Sequence, residues 1–112
     1  MKIWVDDIRP KPDDFDVWCK TVYSFMDIII DSHLKNEEIE LISFDHDAGN
    51  YFDYGGDYIE CLKLLEEIKY IYGVDICTKF YFHTGNPVGR ENMRRIIKSC
   101  GWEEVETAED FF

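Results

Sequence analysis

Ile39-Glu40-Leu41-Ile42-Ser43-Phe44-Asp45-His46-Asp47 is the stretch on which the fold turns. Ile39–Phe44 reads as a β-strand, and it runs straight into three ionisable residues. The same signature lies on either side. Residues 2–5, Lys-Ile-Trp-Val, read as a buried strand that meets Asp6-Asp7, and Lys79–His83 is a strand of packed aromatics that ends on a histidine. Polar residues gathered at strand ends fit an open α/β sheet, where ligands sit beyond the carboxyl ends of the strands.

Between the strands the hydrophobic period lengthens. Thr21 is placed to cap a helix running to about Leu34, with Val22, Phe25, Met26, Ile29 and His33 along one face. A Gly- and Tyr-rich loop spans 48–56. Asp57 then reads as an N-cap, with Glu60 at capping-box spacing; Ile59, Leu62, Leu65, Ile68 and Tyr72 run down the helix and Gly73 stops it. Asn86 caps a third helix with Pro87 at its first position, ending near Cys100-Gly101, and Trp102–Thr107 adds a short edge strand.

Phe15–Cys19 alternates and reads as the second strand. The segment before it holds Pro10 and Pro12, so it is no helix interior. About nine residues is short for a parallel crossover. The link is either a tight proline loop over the sheet or a hairpin that makes the second strand antiparallel, and both readings stand. The alternation of strands and helices predicts one α/β domain over residues 1–112, with a mostly parallel sheet of four or five strands, covered on both faces, and about three main helices.

With 112 residues, 46% of them hydrophobic, the chain can bury one core. No stretch approaches the roughly 18 apolar residues of a membrane span. Met1 opens directly into the first strand without a leader pattern, which makes a cytoplasmic protein with reduced Cys19, Cys61, Cys77 and Cys100 the expectation. The scattered cysteines form no Cys-x-x-Cys zinc site. Twenty-four acidic against 12 basic residues give a formal charge of −12, which repels the phosphates of long nucleic acids. Bulk DNA or RNA binding is not expected; a small phosphorylated ligand, a metal ion or a basic protein partner fits better. The plainer alternative is that the charge only maintains solubility.

Three strand ends carry ionisable residues: Asp6-Asp7, Asp45-His46-Asp47 and His83. If the first strand lies between the second and third, the acidic pairs meet. Close carboxylates call for a hard cation, Mg²⁺ or Mn²⁺ in preference to zinc, with Asp6, Asp7, Asp45 and Asp47 as candidate ligands. Capping of the following loops is the alternative for the aspartates, and a satisfied core histidine is the alternative for His83. His33, near a helix C-terminus, reads as a partner of the helix dipole. In His83-Thr84-Gly85-Asn86-Pro87-Val88-Gly89-Arg90, a strand, a turn and a helix N-terminus offer an anion site. Arg90 in the first helical turn opposes the dipole, so a phosphate contact is its preferred role. Arg94 and Lys98, further along the same line, read as solvated, and Glu91 as a partner for Arg95.

Val5-Asp6-Asp7-Ile8-Arg9-Pro10-Lys11-Pro12, Ser43-Phe44-Asp45-His46-Asp47 and His83–Met93 together resemble the cyclic-phosphate-processing receiver-like family, a divergent branch of the two-component receiver domains. The resemblance implies a receiver or flavodoxin-like three-layer sandwich whose first helical connection is reduced to a loop. It matches Asp6 and Asp7 to the receiver's metal-binding pair, Asp45 to the phosphoacceptor and Thr84 to the strand-four hydroxyl. Receivers also carry a lysine at the end of strand five, and no Lys follows Lys98. Aspartyl-phosphate signalling is therefore the least favoured function. The loop after Asp47 departs from the family pattern.

The leading expectation is a phosphodiesterase-type hydrolase that opens cyclic phosphates on nucleotides or RNA ends. In it Mg²⁺ or Mn²⁺ sits on the aspartates, His46 and His83 act as base and acid beside Asp45, and Thr84, Asn86, Arg90 and Arg9 hold the substrate. A metal-free two-histidine mechanism is also compatible with these residues. The competing expectation is a non-catalytic receiver-like module that binds a cyclic nucleotide or a protein, for instance in viral interference with host signalling. The Asp110-Phe111-Phe112 end is consistent with a protein partner and equally with a terminus packed on the core.

Overall fold

The computed structural model describes residues 1–49, 53 and 55–106. Its strands are β1 (Lys2–Val5), β2 (Val17–Cys19), β3 (Leu41–Phe44), β4 (Lys79–Phe82) and β5 (Glu103–Glu104), and its helices are α1 (Val22–Leu34), α2 (Ile59–Tyr72) and α3 (Pro87–Ser99). The strands form one sheet in the order β2-β1-β3-β4-β5, and every pairing is parallel. This is the receiver or flavodoxin-like α/β arrangement. Central strand β3 is buried at all four positions, as expected of a strand packed on both faces.

The pairing Ile3↔Val17 to Val5↔Cys19 settles the orientation of β2: it is parallel, reached through the proline loop. The loop manages this short crossover because Phe15 is inserted beneath it, 2% exposed and edge-on to Trp4 at 5.3 Å. The Trp4 indole donates to the Arg9 carbonyl, Lys11 Nζ donates to the Phe15 carbonyl, and the Asp16 amide bonds the Lys2 carbonyl. Loop backbone that would otherwise be orphaned is thus satisfied.

The buried residues of the helices, Phe25, Ile29, Cys61, Leu62, Leu65, Met93 and Ile97 among them, pack with Ile3, Val5, Ile42, Phe44, Phe80 and Phe82 in one cluster. Trp4, Phe15, Leu41 and Val105 form a second, with no helical member, on the other face. Among the described residues the layer opposite the helices is therefore the 6–16 loop, consistent with a first helical connection that has shrunk. Each fully buried side chain of this size contributes roughly 1.5–3 kcal/mol.

Several local expectations change. Thr21 does cap α1, in a reciprocal box with Ser24. Its buried face, however, is Val22, Phe25, Ile29 and Ser32; Met26 and His33 are exposed. Asp57 is not the cap of α2, which follows Tyr58 without a side-chain cap. The Asp57 carboxylate instead accepts the Ala48 amide at 3.2 Å, holding the loop that leaves β3. Gly73 ends α2 in the left-handed conformation at φ 68°, which suits glycine. Asn86 and Pro87 open α3 as expected. The last strand is only Glu103–Glu104, and residues 107 and 110–112 lie outside the described residues. Cys19, Cys61, Cys77 and Cys100 are free and buried; burial pushes the Cys19 thiol up to about 12 and Cys77 up to about 11, which leaves them unreactive. No helix among the described residues is long and apolar enough to cross a membrane.

Candidate functional site

Successive crossovers leave β1 in opposite directions, to β2 on one side and, by way of β2, to β3 on the other, so the β1/β3 seam is the switch point of the sheet. The residues just past both strands carry the ladder onward: the Asp6 amide bonds the Cys19 carbonyl, and the Asp45 amide bonds the Val5 carbonyl. That continuation brings Asp6, Asp7 and Asp45 together, with carboxylate oxygens within 4.8 Å of one another.

Asp6 is fully buried. Burial pushes its carboxyl upward, but the amides of Ile8 and Arg9, together with the His83 ring, outweigh burial and hold it below its ordinary value. Asp45 moves the other way. Burial and the nearby Asp6 charge raise it, against bonds from the His46 amide and the Thr84 hydroxyl and the attraction of Arg9. Asp7 takes the Gly49 amide on Oδ2 at 2.8 Å, while its Oδ1 is buried with no hydrogen-bond partner. The Arg9 guanidinium lies 3.3 Å from Asp6 Oδ2 and 3.7 Å from Asp45 Oδ2. It provides a cation beside Asp45 in a chain without the receiver lysine.

His83 ends β4 with both ring nitrogens engaged. Nε2 is 2.9 Å from Asp6 Oδ2 and Nδ1 is 2.7 Å from Ser43 Oγ. An ionised carboxylate only accepts, so Nε2 carries the proton and Nδ1 accepts the Ser43 hydroxyl. The ring stacks on Trp4 at 3.8 Å with planes 5° apart. Burial pushes its pKa down to about 4, against the pull of Asp6. His83 is a buried, neutral histidine that orients Asp6, with no lone pair open to a ligand.

His46 is the reverse case. Its Nδ1 lies 2.8 Å from Asp47 Oδ1, so by the same logic Nδ1 carries the proton and the Nε2 lone pair is the basic position. Asp47 also accepts both of its contacts from Asn86 Nδ2, at 3.3 Å. The ring lies against Gly89 in the first turn of α3, so closely that a methyl group there would stand 2.4 Å from His46 Cγ. Asp47 is therefore not gathered with Asp6, Asp7 and Asp45; its neighbours are His46 and Asp57. The chain turns after Asp45, and the two-residue periodicity that would have aligned Asp45 with Asp47 is lost.

The remaining candidates build the turn after β4. Thr84 is buried, and its hydroxyl accepts the Asn86 amide as well as bonding Asp45. Asn86 Oδ1 accepts the Gly89 amide. Arg90, expected at a phosphate, has Nη2 on the Thr84 carbonyl and a buried, unpartnered Nε. Arg94 is not a solvated side chain: Nε and Nη2 reach Glu104 at 2.6 and 3.1 Å, and Nη1 reaches Glu91. Glu91 is thus paired with Arg94 at i,i+3. Sequence reasoning assigned no individual site role to Trp4, Ser43, Tyr58 or Gly89, and it read Asp57 only as a helix cap. Tyr58 is wholly buried, donates to the Lys20 carbonyl and has its pKa raised by burial and by the charges of Asp7, Asp6 and Asp45. Ser43, two residues before Asp45 in a strand otherwise apolar around it, carried the one signal that was available. Clefts of about 440 and 360 Å³ open towards the amino ends of the strands, both lined by Ile29, Val74 and Ile76, away from all of these groups.

The donor set fits a hard divalent cation: three carboxylates converge, and one buried carboxylate oxygen has no other partner. The profile of the cyclic-phosphate processing receiver domain matches residues 1–99. Neither a curated protein nor a solved structure matches the chain.

Proposed function

The chain belongs to the cyclic-phosphate processing receiver family, and from that premise we propose that it is a phosphodiesterase-type hydrolase that opens cyclic phosphates on nucleotides or RNA ends. One observation carries the reading: a histidine with its Nε2 lone pair available, His46, directly follows Asp45 of a three-carboxylate group at the switch point. Asp6, Asp7 and Asp45 would hold Mg²⁺ or Mn²⁺, which when bound polarises a phosphoryl oxygen and orients water. His46 Nε2 takes a proton from the attacking water as its oxygen bonds to phosphorus. One ring P–O bond breaks, and the departing oxygen is protonated from solvent. Asp47 holds the His46 tautomer and stabilises the imidazolium that forms. His83 positions Asp6, Arg9 is the half-exposed cation nearest an incoming phosphate, and Thr84, Asn86 and Arg90 shape the turn against which the phosphate rests.

A second reading, a module that binds a cyclic nucleotide without turnover, is favoured by the engagement of both His83 nitrogens. A panel of 2′,3′-cyclic nucleotides, cyclic dinucleotides and cyclic-ended oligonucleotides, with and without Mg²⁺, separates the two. Ring opening that is lost in His46→Ala supports the enzyme. Saturable binding of the same compounds without product supports the module.

A further inference from the structure

Arg9 is held in two different ways. Its backbone is pinned: the amide donates to Asp6 Oδ1 at 3.1 Å and the carbonyl accepts the Trp4 indole at 3.0 Å. Its side chain is 50% exposed, yet it neutralises Asp6 and Asp45, whose side chains are 0% and 12% exposed. Buried carboxylates need a counter-charge. Without a divalent ion, the guanidinium is the cation in contact with both. The guanidinium serves only these two: Oδ1 of Asp7, the third carboxylate of the group, remains without a partner. A planar guanidinium donates along fixed directions, whereas a divalent ion accepts oxygens from several sides at once. The two cations therefore compete for Asp6 Oδ2 and Asp45 Oδ2, and the exposed side chain can leave without moving its anchored backbone.

We propose that Arg9 is an exchangeable internal counter-cation: it closes the Asp6–Asp45 pair in the resting protein, is displaced when a divalent ion binds, and then turns to the phosphate of the ligand. The proposal rests on the cation site of the reading above and adds its regulation. Ion binding releases Arg9, and a phosphate that holds Arg9 keeps it away from the carboxylates. Each ligand therefore strengthens the other through one side chain, as reciprocal coupling requires.

The test uses Mn²⁺ alone, followed by electron paramagnetic resonance, on the wild type, Arg9→Gln and Lys20→Gln. Lys20 follows β2 at the same end of the sheet, with its ammonium over the Trp18 ring at 4.3 Å, so its loss controls for net charge. Arg9→Gln should bind Mn²⁺ roughly tenfold more tightly than the wild type, because the ion no longer displaces two partly exposed ion pairs. Lys20→Gln should change affinity by less than about twofold. Inorganic phosphate should tighten Mn²⁺ binding more in the wild type than in Arg9→Gln, which retains only the direct contact between phosphate and ion. As a check that needs no variant, Mg²⁺ should shift the Arg9 side-chain ¹⁵N resonance of the wild type towards that of free arginine. Equal or weaker binding by Arg9→Gln, an equal gain in Lys20→Gln, or an unmoved Arg9 resonance at saturating Mg²⁺ overturns the exchange while the cation site stands. Failure of both wild type and Arg9→Gln to bind Mn²⁺ removes the site itself, and the exchange with it.

Discussion

Replacing Gly89 with Ala tests the placement of His46 more directly than replacing the histidine. Gly89 is the third residue of α3, in ordinary helical conformation, so Ala by itself would favour the helix by up to about 1 kcal/mol. The added carbon, however, would stand 2.4 Å from His46 Cγ, 2.6 Å from Cδ2 and 2.8 Å from Nδ1. Ordinary contact begins at 3.4 Å, so ring and helix must separate by about 3.4 − 2.4 = 1.0 Å. Cγ sits one bond from Cβ, and such a displacement requires rotation about the Cα–Cβ bond, which breaks the 2.8 Å contact with Asp47. Loss of that bond costs about 1 kcal/mol and offsets the helical gain. Thermal unfolding should therefore move by no more than about 5 °C in either direction. The His46 imidazole ¹⁵N resonances should shift markedly as the Asp47 contact opens. Turnover of whichever cyclic phosphate the panel identifies should fall roughly 10²-fold, as expected of a reacting group misplaced by about an ångström. A stable Gly89→Ala protein with unchanged His46 resonances refutes the packing argument. Shifted resonances with wild-type turnover refute His46 as the base.

Other outcomes follow from the same geometry. His83 resists protonation in the fold down to about 4, whereas the unfolded chain takes that proton near 6.5. Its contribution is complete above about pH 6.5 and is lost as pH falls towards 4; the gap of about 2.5 pH units amounts to roughly 3 kcal/mol. Denaturant titrations in chelator should show that loss in the wild type and not in His83→Gln, and a nuclear magnetic resonance titration placing His83 near 6.5 would contradict it. Mg²⁺ or Mn²⁺ should raise the melting temperature by selective binding to the fold, and Asp7→Ala should abolish the increment; equal responses in both proteins rule out Asp7 as a ligand. Phe15→Ala should cost about 3–5 kcal/mol in chemical denaturation, because the proline loop has no helix to replace the ring. Arg94→Ala should cost about 1 kcal/mol through its two bonds to Glu104, and Lys98→Ala almost nothing; equal effects would mean that the Arg94–Glu104 tie contributes no stability.

Much of this protein is written in local sequence. The strands and helices follow from periodicity, caps and glycine stops, since those signals act over a few residues and the backbone answers to them directly. The meeting of Asp6, Asp7 and Asp45 was also legible, because residues that follow parallel neighbouring strands must emerge at the same end of the sheet. The orientation of β2 was not legible: it depends on whether Phe15 packs under the loop, a contact between the loop and the sheet that no spacing rule contains. The division of labour between the two histidines likewise belongs to the tertiary structure. As residue types His46 and His83 are identical. Packing against Trp4, Ser43 and Asp6 closes both nitrogens of one, while Asp47 and the absent side chain of Gly89 leave the Nε2 lone pair of the other available. Arg9 is a similar case, its motif visible along the chain but its seat between two carboxylates set by β3, which lies more than thirty residues away in sequence and beside β1 in space. A chain specifies its local conformations through neighbours it carries with it, whereas hydrogen-bond capacity and charge state are set by whichever groups folding brings within reach.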